Sequence, residues 1–390
     1  MINEGIDPGE YQELSQRIHA TIWDRLAPLE QQIENEERIP YDMVLPALRE
    51  SGAFGLLVPR EYGGSGLSIR QYLPIIAEFA KIQGGLRVIV HVHNSFAHAL
   101  SEMGSAGQCK AVLPGAATGE KSVAFALTEP DHGTGADLGT TADIDGTGYV
   151  LNGRKWLITN SDLATHFMVF AKTGETSVSA FLVERGSRGL HIGPLPETMG
   201  CKGGQHGIIT LDNVAVPGSA LIGAEGEGQQ HLERALEISR VFIAASSLGT
   251  AERALELSTS YAKSRVTFGR PIGDRQAIQR YLAEMAIDVY ALRRMLVDAA
   301  AKWDSGQRIP AESAMCKQFG LEAVGRVTDR ALLIHGGIGY TREYPIERLY
   351  RDARLNWLEE GTPTIQYLVI ARELLSGYDS ADTGALLTAG

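Results

Sequence analysis

The sequence predicts an α+β fold that is mainly helical. It expects an N-terminal α-helical domain over 1–121, a middle antiparallel β-barrel or sandwich over 122–229, and a C-terminal four-helix bundle over 230–390. Three observations carry this expectation. The apolar spacing changes at Ser122 from threes and fours to short runs of β-formers. A glycine-rich stretch, Gly223 to Gly228, closes that region. Beyond it the apolar periodicity is long and the connections short, which is how antiparallel bundles read. A chain of 390 residues also exceeds one ordinary core.

Taken in order, Leu14, Ile18, Ile22, Leu26 and Leu29 recur at helical spacing, and 41–48 repeats the pattern after Pro40. Pro59-Arg60-Glu61-Tyr62-Gly63-Gly64-Ser65-Gly66 is a turn-rich break. Helical spacing resumes over 69–82 and 86–103, the second carrying His91, His93 and His98. Histidines two apart do not share a helical face, so these are read as buried or pocket-lining imidazoles and no metal site is expected. Strands are predicted over 122–127, 142–152, 167–172, 179–184, 190–194 and 207–213. Long helices follow over 231–265, 274–305, 310–335 and 363–377. Thr362-Pro363 is a strong start for the last of them, a hydroxyl cap followed by proline at the first helical position.

Composition narrows the function. The chain is 44% hydrophobic and 21% charged, with 47 acidic against 36 basic side chains and a net charge of -11. That balance argues against a nucleic-acid partner. No apolar run is long enough to span a bilayer, and the acidic start lacks the pattern of a signal peptide. Three scattered cysteines give neither a disulfide framework nor a zinc site, so a reducing cytoplasm is expected.

Several blocks then fall in order along this layout. They are the 59–66 break, Leu127-Thr128-Glu129-Pro130, Asn152-Gly153-Arg154-Lys155-Trp156-Leu157-Ile158-Thr159-Asn160 and Arg265-Val266-Thr267-Phe268-Gly269. His335-Gly336-Gly337-Ile338-Gly339-Tyr340, Arg351-Asp352-Ala353-Arg354 and Glu360-Gly361-Thr362 complete them. In this order the chain resembles the acyl-CoA dehydrogenases over nearly its whole length.

The resemblance implies an acyl-CoA dehydrogenase-like fold, FAD, and α,β-dehydrogenation of an acyl-CoA thioester. It assigns the flavin to Phe125, Leu127, Thr128, Gly133 and Thr134 at the exit of the first strand, and to Trp156, Ile158 and Thr159 further on. Asp131-His132-Gly133-Thr134-Gly135 is one residue shorter than the family's usual Gly-Ala-Gly-Ser-Asp, with Thr134 standing in for the serine hydroxyl. The family's aromatic two places before the threonine is Leu157 here, with Trp156 one place earlier, so Thr159 carries over more directly than the indole. Arg265, whose fork suits a pyrophosphate, with Phe268 and Gln276, falls to the dinucleotide of a neighbouring subunit. Leu333, His335, Gly336 and Gly337 do likewise, Leu333 replacing a glutamine, and Thr362 and Thr364 complete the cofactor set. A homo-oligomer follows, because such a cofactor site needs two chains; the resemblance implies a tetramer built as a dimer of dimers, with a dimer left open.

For the substrate, the resemblance points to Asn94, Thr134, Ser239, Arg240, Glu359 and Gly361. One branch of the family places its catalytic acid where this chain has Ser239, and serine cannot act as that base. That leaves Glu360 as the base, its main-chain N–H as half of the site for the thioester oxygen, and flavin N5 as hydride acceptor. Glu359 and Thr364 replace an aromatic and a longer polar side chain, which with His91, His93 and Asn94 implies a short, branched or functionalised acyl group. An electron-transferring flavoprotein or similar acceptor is implied as partner. The rival within enzymes is a dehydrogenase of acyl or aminoacyl groups on a carrier protein in secondary metabolism. Glu360 weighs against a monooxygenase, and the charge balance against a DNA-binding flavoprotein.

Overall fold

The structure is a computed structural model that describes residues 3–132, 137–204 and 206–378. Two compact units divide the described residues, one over Asn3–Leu236 and one over 237–378.

The first unit opens with α1 (Pro8–Ala20), α2 (Glu30–Glu36), α3 (Tyr41–Ser51), α4 (Ile69–Phe79), α5 (Gly84–Met103) and α6 (Ala106–Thr118). Local chemistry sets several of these starts. Ser68 with Gln71, and Ser105 with Gln108, cap α4 and α6 reciprocally, each satisfying two backbone N–H groups. The strands follow as β1 (Val123–Ala126), β2 (Thr141–Asp145), β3 (Gly148–Thr159), β4 (His166–Lys172), β5 (Val178–Glu184), β6 (Leu190–Pro194), β7 (His206–Pro217) and β8 (Leu221–Ile222).

These strands form one sheet in the order β6-β7-β3-β2-β4-β5-β8, with β1 added beside β4. It is a mixed sheet with no closed barrel, where an antiparallel barrel or sandwich is expected above. The reason is β1, which runs parallel to β4 from Val123 opposite His166 to Ala126 opposite Val169. β4 is buried on both faces, as parallel neighbours require. Phe167, Val169 and Ala171 pack with Leu151, Phe181 and Ile209, while Met168 and Phe170 pack with Phe96, Val112 and Leu113 of the helices. Burying each such phenylalanine contributes roughly 1.5–3 kcal/mol.

α7 (Gly228–Ser264) carries the chain onward. The second unit then holds the short hairpin β9 (Val266–Thr267) and β10 (Arg270–Pro271), with α8 (Gln276–Asp304), α9 (Pro310–His335), α10 (Ile346–Ala353) and α11 (Pro363–Leu375). Val241, Phe242 and Leu248 of α7, Met285, Leu292 and Leu296 of α8, and Leu321, Val324 and Val327 of α9 are buried at helical spacing. Ion pairs lace the polar faces, including a two-pronged Arg326–Asp288 contact at 3.0 and 2.7 Å between α9 and α8. α11 packs lightly, with only Gln366 among its residues buried. No helix among the described residues is long and apolar enough to cross a membrane.

Candidate active site

In the C-terminal unit the chain bends sharply ahead of α11. Pro363 takes the first helical position as expected, but the Thr362 hydroxyl makes no capping bond. The Thr362 carbonyl accepts the Ile365 N–H at 3.0 Å instead, which leaves the exposed hydroxyl outside the cap. Glu360 (φ 57°) and Gly361 (φ 93°) are both left-handed. Glycine takes that conformation at no steric cost, whereas for Glu360 it costs about 1–2 kcal/mol. Such backbone persists only where its surroundings hold it.

Here they do. Gln366 is fully buried and donates its side-chain amide to the carbonyls of Glu360 (3.2 Å) and Gly361 (2.9 Å). Lys317, on the buried stripe of α9, donates to the Glu359 carbonyl at 2.5 Å and also to that of Gly361. Arg240 of α7 reaches the Glu360 carbonyl at 3.4 Å. The Ser239 hydroxyl donates to Glu360 Oε1 at 2.8 Å, so the carboxylate is aimed as well as its backbone. Burial pulls the Lys317 ammonium down to about 7, with the Glu360 and Glu359 carboxylates opposing that shift. The predicted residues Ser239, Arg240, Glu359, Glu360 and Gly361 therefore meet at one half-buried carboxylate, backed by a buried cation.

The same unit places other predicted residues at its surface. Phe268 and Gly269 (φ 48° and 79°) make the two-residue turn between β9 and β10, a geometry that favours glycine at both places. Phe268 nevertheless stands 95% exposed, with the Arg275 guanidinium 5.2 Å over its ring. Arg265, Gln276, Leu333, Gly336 and Gly337 are exposed too. His335 stacks on Tyr261 with ring centroids 4.4 Å apart, which brings the C-terminal ends of α7 and α9 together. Its ring is buried, and its Nδ1 lies 2.8 Å from the Ala331 carbonyl.

In the first unit β1 ends at Ala126, and Leu127-Thr128-Glu129 crosses toward β3. The Thr128 carbonyl accepts the Trp156 N–H at 2.8 Å, setting Thr128 beside Trp156. Leu157 (φ 58°) marks a bulge in the β3–β7 ladder, and it turns Leu157 outward while Ile158 stays in the core. The Ile158 side chain is thus spent in the core. The Thr159 hydroxyl sits 2.9 Å from His206 Nδ1. Phe125 stacks on Phe96 at 4.4 Å.

Beneath this crossing lies a buried ion pair, Lys155 Nζ to Glu129 Oε1 at 2.8 Å. Lys155 also donates to the Leu127 carbonyl at 3.1 Å, and Glu129 accepts from Gly139 N–H (2.5 Å) and Thr140 Oγ1 (2.5 Å). Burial alone would raise the Glu129 carboxyl, but its bonds from Lys155 and Thr140 hold it down at about 2. Gly133 and Thr134 lie outside the described residues. Asn94 departs from its expected place in a substrate pocket. It donates to the Ala53 (2.8 Å) and Val90 (3.0 Å) carbonyls and accepts the Leu57 N–H (3.2 Å), so its amide is spent as a clamp.

Residues 8–120, 124–214 and 226–375 match the N-terminal, middle and C-terminal domains of acyl-CoA dehydrogenase. The chain belongs to the acyl-CoA dehydrogenase family. It is 37% identical over 358 residues to an acyl-CoA dehydrogenase of Bacillus subtilis, covering 90% of this chain and 94% of that one. It is 35% identical over 352 residues to the caffeyl-CoA reductase-Etf complex subunit CarC of Acetobacterium woodii, with 88% and 92% covered. The fold is similar to butyryl-CoA dehydrogenase from Megasphaera elsdenii, at a TM-score of 0.89, 31% identity and coverage of 94% and 98%. An FAD complex of PigA is similar at a TM-score of 0.88, with 28% identity and coverage of 95% and 98%.

As an acyl-CoA dehydrogenase the chain is a flavin oxidoreductase acting on CH–CH bonds, with FAD as its cofactor. The residues fit that group. Phe268, held outward at positive φ with the Arg275 guanidinium over its ring, is backbone strain of the kind that clusters at ligand sites. Three contributors escaped the sequence reading. Lys317 had a usable signal, a long polar side chain on the buried stripe of a helix, whereas Gln366 is the one buried residue of its helix and the Glu129–Lys155 pairing joins blocks that are separate in the chain.

Proposed function

We propose that this chain oxidises a short, branched or functionalised acyl-CoA, with Glu360 removing the α-proton. The observation that carries this reading is the 2.8 Å contact between Ser239 Oγ and Glu360 Oε1. The two places from which this family supplies its base converge on one spot, and only one holds an acid. The Ser239 bond orients the carboxylate, and the bend presents the Glu360 main-chain N–H to the carbonyl oxygen where charge develops. Bound FAD supplies the two-electron acceptor for the β-hydride. Phe125, Leu127, Thr128, Trp156, Thr159, Thr362 and Thr364 are assigned to its flavin end, and Arg265, Phe268, Gln276, Leu333, Gly336 and Gly337 to the dinucleotide of a second copy.

A short acyl group is supported by the likeness to butyryl-CoA dehydrogenase, and a functionalised one by Glu359 beside the base. An electron-transferring flavoprotein as partner is supported by the Etf-complex relative. The three free, buried cysteines accord with a reducing, cytoplasmic setting. Glu360→Gln is expected to keep FAD bound while abolishing substrate-dependent bleaching in anaerobic titrations with a panel of acyl thioesters. Retained bleaching removes Glu360 from the role, and bleaching of the parent by carrier-bound thioesters alone replaces CoA as the carrier.

A further inference from the structure

Lys317 is not accounted for by packing. It lies with Ser313, Gly320, Leu321 and Val324 on the buried stripe of α9, and none of its surface is exposed. An ammonium in that position costs heavily in lost hydration unless its surroundings compensate. The compensation is local and specific: Nζ donates to the Glu359 and Gly361 carbonyls, which flank Glu360 on either side.

The consequence lies in the peptide plane. The Glu359 carbonyl and the Glu360 N–H belong to the same unit, which is planar and trans, so the two groups point in opposite directions. A lysine that captures the carbonyl fixes where the N–H points, on the side away from α9. In its protonated form this donor also polarises the amide through the carbonyl and makes its N–H a stronger donor. The second bond, to Gly361, holds the next turn of a bend whose Glu360 φ of 57° needs such support.

We propose that Lys317 is a positioning residue of the reaction, aiming and polarising the Glu360 main-chain N–H that receives the thioester oxygen. The proposal rests on the reading of Glu360 as the base and its N–H as the oxygen's partner. Lys317 touches neither substrate nor cofactor; it acts through the 359–360 peptide.

The test uses FAD-loaded protein and butyryl-CoA labelled with carbon-13 at the thioester carbonyl, read by infrared difference spectroscopy and steady-state kinetics. Bound to the parent, the carbonyl stretch is expected to fall below its value in water. In Lys317→Met that lowering is expected to shrink, and kcat to fall about 10²-fold, the loss typical of one such donor, with KM little changed. A lysine that merely fills space would leave the carbonyl frequency alone, so parent-like frequency and kcat in Lys317→Met overturn the proposal. If Lys317→Met fails to hold FAD, Lys317→Gln decides. It keeps two N–H donors without the charge, so a smaller lowering and a reduced kcat are expected, and parent values overturn the proposal. Glu360→Gln keeps its main-chain N–H and is expected to retain the lowered frequency while losing turnover. Turnover in that variant sinks the reading of the base and leaves the Lys317 comparison standing.

Discussion

His93 shows how a single buried group sets a pH dependence. Its ring packs on Phe54 at 4.7 Å and its Nε2 lies 2.8 Å from the Ala116 carbonyl. Burial pushes its pKa down from 6.5 to about 4, against hydrogen bonds to Ala116 and Phe54 that favour the charged form. The sign follows from linkage. The unfolded chain binds this proton first on acidification, so the group leaves stability untouched above pH 6.5 and lowers it progressively as pH falls toward 4. The full effect is about 3 kcal/mol at 1.36 kcal/mol for each pH unit of difference. Burial also pulls down His166 and His335, so the parent alone does not isolate His93. His93→Gln does: in urea unfolding between pH 7 and 4 the parent should lose stability relative to the variant by that amount. Parallel pH curves would refute it. The sequence reads His91, His93 and His98 as buried or pocket-lining imidazoles, and His91 and His93 are buried, yet it assigns Asn94 to a pocket. Nothing local to Asn94 reveals that its partners are the carbonyl of Ala53 and the amide of Leu57.

Among the elements, the β1–β3 crossing depends on the Glu129–Lys155 pair. Removing one partner leaves the other buried and uncompensated, which typically costs about 3–5 kcal/mol, whereas removing both is much milder. Glu129→Gln is therefore expected to lower the unfolding free energy by roughly 3 kcal/mol. It should also weaken FAD binding at least tenfold by flavin fluorescence, because Thr128 and Trp156 lose their support. The double variant Glu129→Gln/Lys155→Met should recover part of that stability. Parent-like FAD affinity in Glu129→Gln would mean that the pair supports the sheet alone. The helices of this unit and the next were legible because their apolar stripes are continuous, and α7, α8, α9 and α11 fall close to the predicted bounds. The sheet was less so. One strand was read over 142–152, where a turn at Gly146 separates β2 from β3 and a bulge at Leu157 lets β3 run on to Thr159. The parallel pairing of β1 with β4 joins segments about forty residues apart, and no local period encodes it. The place of Lys317 on a buried helix stripe was legible, but its partners were not, since they lie 42 and 44 positions away in the chain.

At the scale of the whole molecule, the C-terminal unit shows more apolar surface than a solitary chain carries comfortably. Phe268 is 95% exposed, Leu375 89%, Tyr340 87% and Ile287 66%. Large apolar residues left exposed in such number on one unit are what a surface covered by another molecule would carry. On the function proposed above the cover is a second copy, because that proposal assigns Arg265, Phe268 and Gln276 to a dinucleotide held partly by a neighbouring chain. Assembly and cofactor retention are then one equilibrium: a ligand bound across two chains stabilises their association, and dilution releases both together. Light scattering is expected to give a mass near four times 42.1 kDa for the FAD-loaded protein, with FAD content falling as the assembly dissociates on dilution. Leu333→Asp, which introduces a charge at an exposed position in α9, should lower both the mass and the bound FAD without changing the helical signal in circular dichroism. A monomer that keeps its full complement of FAD would show that one chain suffices, and the assignment of Arg265, Phe268, Gln276 and Leu333 to a neighbour's cofactor would fall with it.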